Sequence, residues 1–93
     1  MTQPAQLAPT TTVSIYPNPT KYGIHISFQQ WKKEKSYTLQ LADNQGRILL
    51  VQPLPTSTTW VDFGPLQLVA GPYQLTILEG DQVLQHRALV VSR

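Results

Sequence analysis

A two-residue rhythm of apolar side chains, broken by turns, runs through this chain and leaves room for little but β-strands. Gly23-Ile24-His25-Ile26-Ser27-Phe28 alternates, with Ile24, Ile26 and Phe28 on one face. Tyr37, Leu39 and Leu41 repeat the spacing, as do Val61 with Phe63, and then Tyr73, Leu75 and Ile77. Successive side chains point to opposite faces of a strand, so each run is a strand with one face buried. Turn signals return about every ten residues, the spacing expected of an all-β domain. They include Asp43-Asn44-Gln45-Gly46, where Gly46 supplies a positive φ, then Gly64-Pro65 and Glu79-Gly80-Asp81-Gln82. Prolines and β-branched residues are spread throughout, and no helical signal exceeds a turn.

Tyr16-Pro17-Asn18-Pro19 punctuates the start. A proline has no N–H for a sheet ladder, and the residue before it is pushed towards extended backbone. Val13 to Tyr16 therefore reads as a short strand and Pro17 to Thr20 as a rigid turn. Met1 to Thr12, polar and small with Pro4 and Pro9, reads as a flexible linker, which leaves 13–93 as the folded domain. Gln29 to Lys35 reads as a polar hairpin loop. Ile48-Leu49-Leu50-Val51 is continuously apolar, as in a strand covered on both sides or one carrying a bulge. Leu66 to Ala70 reads as a segment crossing between sheets. Val83 to Ser92 is the last strand, and its blurred alternation points to a bulge near Arg87-Ala88. About seven short strands at this spacing predict an antiparallel β-sandwich of immunoglobulin-like type, with a small open barrel as the other architecture considered.

Composition limits the chemistry. The 93 residues make one small domain, too small for a roomy active-site cavity, and the absence of cysteine excludes disulfides and thiol chemistry. A net charge of +2 with only 13% charged residues gives no field to attract nucleic acid. No apolar run approaches the ~18 residues of a membrane span. Met1-Thr2-Gln3-Pro4 carries neither the charged nor the apolar region of a signal peptide.

Candidate chemical groups are sparse. His25 and His86 lack a third ligand at convincing spacing, so no metal site is expected. Asp43, Glu79 and Asp81 fall in turns and Asp62 alternates outward, which suits solvated acids better than a catalytic pair. No nucleophile elbow or phosphate-cradling glycine loop exists, so neither a catalytic residue nor a cofactor is expected. Trp31-Lys32-Lys33-Glu34-Lys35 would suit contact with an anionic surface; the simpler reading is a solubilising tip with Trp31 folded back. Trp60 alternates outward with Asp62, placed to stack on a sugar or to cover the sheet.

Four stretches occur in a recognisable order. Ile15-Tyr16-Pro17-Asn18-Pro19 opens the domain and Asp43-Asn44-Gln45-Gly46-Arg47 follows a strand. Leu68-Val69-Ala70-Gly71-Pro72-Tyr73-Gln74-Leu75 comes next, and Leu84 to Arg93 closes the chain. The series resembles the C-terminal sorting domain, type A, of type IX (Por) secretion substrates, over Val13 to Arg93. The resemblance implies an immunoglobulin-like sandwich that works as an export signal rather than an enzyme. It implies a parent cargo domain before residue 1, from a Bacteroidetes-type bacterium, carried through the periplasm and across the outer membrane to the cell surface. The implied partners are the outer-membrane translocon, its shuttle protein and a cell-surface sortase that would cut in the linker.

On this resemblance the motif residues are Pro17, Asn18 and Pro19, Gly46 and Arg47, Gly71 and Tyr73, and Arg87 and Arg93. Each of Gly46, Gly71 and Tyr73 has a simpler reading as a fold requirement: positive φ for the glycines, a core-filling ring for the tyrosine. The terminal strand is expected to be read by a partner, by strand addition or otherwise. Sheet edges near Val13 to Tyr16 and Val83 to Arg93 have little protection, which allows a weak homodimer. The other function considered is a carbohydrate- or surface-binding accessory module, resting on Trp31, Trp60 and the lysine loop.

Overall fold

The computed structural model describes residues 11–92. Seven strands follow one another: β1 (Thr12–Tyr16), β2 (Gly23–Gln29), β3 (Tyr37–Asp43), β4 (Ile48–Pro53), β5 (Thr58–Asp62), β6 (Gly71–Glu79) and β7 (Gln82–Val91). They form two antiparallel sheets, one in the order β1-β2-β5 and one in the order β4-β3-β6-β7. This is an all-β, immunoglobulin-like sandwich. Its fourth strand pairs with β3 rather than with β5, so the sheets hold three and four strands. The open barrel is excluded, because the two sheets share no strand.

The alternating residues fill the space between the sheets. Ile24, Ile26 and Val61 come from the smaller sheet; Leu39, Leu41, Leu75, Ile77 and Leu89 come from the larger; all are essentially inaccessible to water. Each such side chain stabilises the fold by about 1.5–3 kcal/mol relative to leaving it exposed. Beyond the strand periodicity, Leu54 and Leu68 plug the core from connecting segments.

Several sequence expectations change. Gln29 to Lys35 is not a hairpin: β2 and β3 lie in different sheets, so this loop crosses from one to the other. Trp31 folds back there on Phe28 and Tyr37, with ring centroids 5.0 and 4.4 Å away. The Ile48–Val51 run is not covered on both sides, since Ile48 and Val51 are exposed. It carries a bulge instead: Leu41 pairs with Leu50 and Ala42 with Ile48, leaving Leu49 as the extra residue, turned to the core. The bulge in β7 lies at Leu84, between the pairs Ile77–Gln85 and Leu78–Val83, and not at Arg87-Ala88. At the N-terminal side, Thr11 is buried, with its hydroxyl donating to the Gln30 carbonyl at 2.8 Å, and Thr12 begins β1. Leu66 to Ala70 does carry the chain from β5 to β6 in the other sheet, after one turn of 3-10 helix at Gly64–Leu66.

Candidate functional site

The sandwich has two ends, and pairing places three of the motif stretches, together with the close of the fourth, at the same one. In the larger sheet Asp43 pairs with Tyr73, Tyr73 with Leu89, and Gly71 with Val91. Thr20 then forms a parallel bridge to Val91. The row thus runs from the Asp43–Arg47 turn, through the glycine–tyrosine stretch and the end of β7, to the residues after the proline pair. The opposite end holds Tyr37 and Glu79, about 20 Å away for six residue steps of ~3.3 Å along the sheet.

The proline stretch is a clamp on the last strand. Tyr16-Pro17 and Asn18-Pro19 are both cis, and the exposed Asn18 side chain reaches the outer edge of β7. Its Nδ2 donates to the Ala88 carbonyl at 3.0 Å, and its Oδ1 accepts from the Val90 N–H at 3.1 Å. The carboxamide therefore imitates one peptide unit of a neighbouring strand. Thr20 continues the pairing with its backbone: its N–H donates to Val90 O at 2.9 Å, and its carbonyl accepts from the Ser92 N–H at 2.7 Å. The Thr20 hydroxyl is buried and turns inward, donating to the Gly23 carbonyl and accepting from the Gly23 N–H. One residue thus ties β7 to the start of β2.

This pairing narrows the expectation that a partner could add a strand along the whole of β7. Between Ala88 and Ser92 the edge is already taken by Asn18 and Thr20, and open edge remains only towards Val83. Arg87 stands across from Leu75, and its Nη1 reaches the Ile15 carbonyl on the facing sheet at 3.5 Å. It spans the mouth of the sandwich and does not belong to the row. Arg93 lies outside the described residues.

The middle turn is organised by Asp43. Its carboxylate accepts from the N–H groups of Gln45 and Arg47, both at 2.9 Å, and from Arg47 Nε at 2.8 Å. These bonds, that of the Arg47 N–H foremost, hold the carboxyl below its ordinary pKa. The Gly46 N–H closes the turn onto Asp43 O at 3.0 Å, with Gly46 at φ +89. Across from this turn, Gly71 sits at φ +144 and starts β6. The Tyr73 ring is buried, and its hydroxyl donates to the Val69 carbonyl at 2.7 Å, pinning the crossing segment. Turn and crossing segment line one open groove of about 500 Å³, in which Arg47, Gly71 and Tyr73 all take part.

Two positions that shape this end escaped the sequence reading. Thr20 looked like an ordinary turn residue, and only the parallel bridge marks it out. Gly23 begins β2 where a Cβ would meet the Val61 carbonyl at 2.2 Å and the Trp60 ring at 2.7 Å. The indole lies over the glycine, and Tyr16, His25 and Trp60 form a row of rings across β1, β2 and β5, with centroids 5.3 and 4.7 Å apart. A glycine in a strand is the sequence signal for such a close approach.

Residues 14–92 match the sequence pattern of the family described as "Secretion system C-terminal sorting domain". The chain belongs to that family. The sorting domain is also similar to a crystal structure described as an immunoglobulin-like protein from Pseudomonas aeruginosa, at 14% identity. That likeness covers 94% of this chain and 95% of the other, with a TM-score of 0.48. Curated proteins give no match. Membership of this type IX sorting family marks the domain as a signal, with a cargo protein and a secretion system as its counterparts, and as part of a secreted or cell-surface protein. A sorting signal of this fold suits a non-catalytic domain. Among the described residues no group of three His, Cys, Asp or Glu side chains could hold a metal, and no helix is long and apolar enough to cross a membrane.

Proposed function

We propose that the domain directs a cargo joined ahead of its first strand across the outer membrane through the type IX translocon, by way of its shuttle protein. A cell-surface sortase then cuts in the linker, ahead of the buried Thr11. The end of the sandwich that gathers Asn18, Thr20, Gly46, Arg47, Gly71, Tyr73 and the close of β7 is the part the machinery reads, with Pro17 and Pro19 shaping its clamp; Arg87, at the sandwich mouth, and Arg93, outside the described residues, are the remaining recognition candidates. The observation that carries the reading is the family match over 14–92 to a chain whose motif stretches, far apart in sequence, share one end. That end lies opposite Thr11, the first described residue.

The test is a periplasmic reporter fused ahead of the full 93-residue chain. In a type IX-competent host the reporter reaches the cell surface or medium, and in an otherwise identical host without the translocon it stays in the periplasm. Periplasmic retention of a folded fusion in the competent host refutes the reading.

A second reading, a carbohydrate-binding role, has one observation in its favour: the exposed row Tyr16–His25–Trp60 on the smaller sheet. Trp31, packed on Phe28 and Tyr37, contributes nothing to it. Glycan binding that disappears in Trp60→Ala would support this role, and no binding by wild type removes it.

A further inference from the structure

The outer face of the four-stranded sheet carries no charge. Register fixes which residues stand there: the even-numbered positions 38–42 on β3, 72–78 on β6 and 86–90 on β7, with 48, 51 and 53 on β4 and 83 before the bulge of β7. Among the described residues, no Lys, Arg, Asp or Glu occupies this face. Ile48, Val51, Val83 and Val90 are exposed around its margin. Gln40, Gln74 and Thr76 fill its centre, half-buried by their neighbours. The histidine on it, His86, is hydrogen-bonded through Nδ1 to the Thr76 hydroxyl at 2.9 Å.

A solvated sheet face ordinarily carries charged side chains, which keep it from sticking to other surfaces. Charge depletion with scattered apolar side chains is the composition of the centre of a protein interface. Lysines and arginines stand on the turns, the loops and the sandwich mouth instead. With no cation here, an anionic lipid or polyanion has nothing to pair with. With no Phe, Tyr or Trp among the described residues here, a sugar lacks the broad aromatic platform it stacks on.

Size decides between a permanent and a passing partner. Four strands at ~4.8 Å spacing and six residue steps of ~3.3 Å give a flat footprint of roughly 400 Å², small for a standard stable interface, which removes ~800 Å² of accessible surface per partner. A second copy of this chain bound here alone would not make a lasting dimer.

We infer that this face docks, transiently, onto a flat and uncharged protein surface of the secretion machinery. The inference rests on the sorting function proposed above. It makes recognition two-sided: the motif-bearing end is read in detail, while the neutral face slides into contact with the larger sheet lying flat.

The experiment places a charge of either sign at the centre of the face, as Gln74→Lys and Gln74→Glu, in the reporter fusion with the full chain. Val51→Lys and Val51→Glu repeat it at a more exposed marginal site, where less packing is lost. Ser14→Lys and Ser14→Glu, exposed on the smaller sheet, are the controls. Variants are compared at a temperature where thermal melts show all of them folded. Both signs on the neutral face are expected to lower the exported fraction roughly tenfold, because an unpaired charge must be desolvated on docking, while the controls export like wild type. Loss with one sign only overturns the inference by revealing a charged partner surface. Undiminished export from all four face variants overturns it and leaves the sorting function standing. A stable dimer of the free domain that Gln74→Lys disperses assigns the face to a second copy and overturns it too. Retention of the wild-type fusion overturns the inference together with the sorting function.

Discussion

Replacing Asn18 by alanine should free the end of β7 at a cost that can be worked from the geometry. Two hydrogen bonds disappear, Nδ2 to Ala88 O at 3.0 Å and Val90 N–H to Oδ1 at 3.1 Å. Each is worth about 0.5–1.5 kcal/mol net. The groups left behind lie on an exposed edge that water can reach, so the larger penalty of a buried orphan does not apply. The expected loss is therefore about 1–3 kcal/mol, and for a domain of this size that lowers Tm by roughly 4–24 °C. Asn18→Asp should cost a similar amount, although it preserves the acceptor for Val90. It loses the donor and sets a carboxylate against the Ala88 carbonyl. Urea titration of both variants, with amide exchange followed at Val90, measures the effect. Exchange at Val90 should accelerate in step with the stability loss, or beyond it, because the clamp is local. A variant within ~0.3 kcal/mol of wild type, with Val90 protection intact, would refute the clamp.

Other positions give separate expectations. Thr20→Val preserves shape and the backbone pairing to β7 but leaves the buried Gly23 N–H and carbonyl without the hydroxyl, so a loss of about 1–3 kcal/mol is expected in chemical denaturation. Gly23→Ala drives a Cβ into the Val61 carbonyl and the Trp60 ring; a loss of about 1–3 kcal/mol or more, with a shift in Trp fluorescence, checks it. Gly71→Ala meets no neighbour, so its expected cost of about 1–2 kcal/mol comes from the φ of +144 alone and should vary little with the size of the replacing side chain. For Asp43 the folded-state pKa is lowered, so its stabilisation is complete above the ordinary carboxylate value and is lost as pH falls through the depressed one. Melts of wild type and Asp43→Ala should therefore differ at neutral pH and converge in strong acid.

The sandwich was legible in the sequence because its core obeys period two. Ile24, Ile26 and Phe28, or Leu39 and Leu41, face inward wherever the strand sits, so local pattern suffices. Sheet partnership was not legible. A polar loop such as Gln29–Lys35 has the same composition whether it turns back as a hairpin or crosses to the other sheet. The β7 bulge was misplaced for a physical reason: Gln85 and Arg87 occupy inward positions on an edge strand, where the side chain reaches the mouth of the sandwich rather than its core. Polar residues are tolerated there, and the alternation fades without any break in register. The motif stretches were legible one by one. Their meeting at one end was not, because the parallel bridge from Thr20 to Val91 joins residues far apart in the chain. Gly23 needed the position of Trp60, which no local pattern carries.

The central claim is that the machinery reads the motif-bearing end and not merely a folded domain. Its most direct test compares Asn18→Ala with Tyr37→Phe in the reporter fusion. Tyr37 lies at the far end, and its hydroxyl donates to Glu79 Oε2 at 2.9 Å, so the phenylalanine variant also loses polar bonding without losing its ring. Export is measured at a temperature where both variants are folded, and plotted against their stabilities. The account predicts that Asn18→Ala falls well below the line set by stability, while Tyr37→Phe exports like wild type. Equal export at equal stability would contradict it, and would leave the motifs as requirements of folding alone.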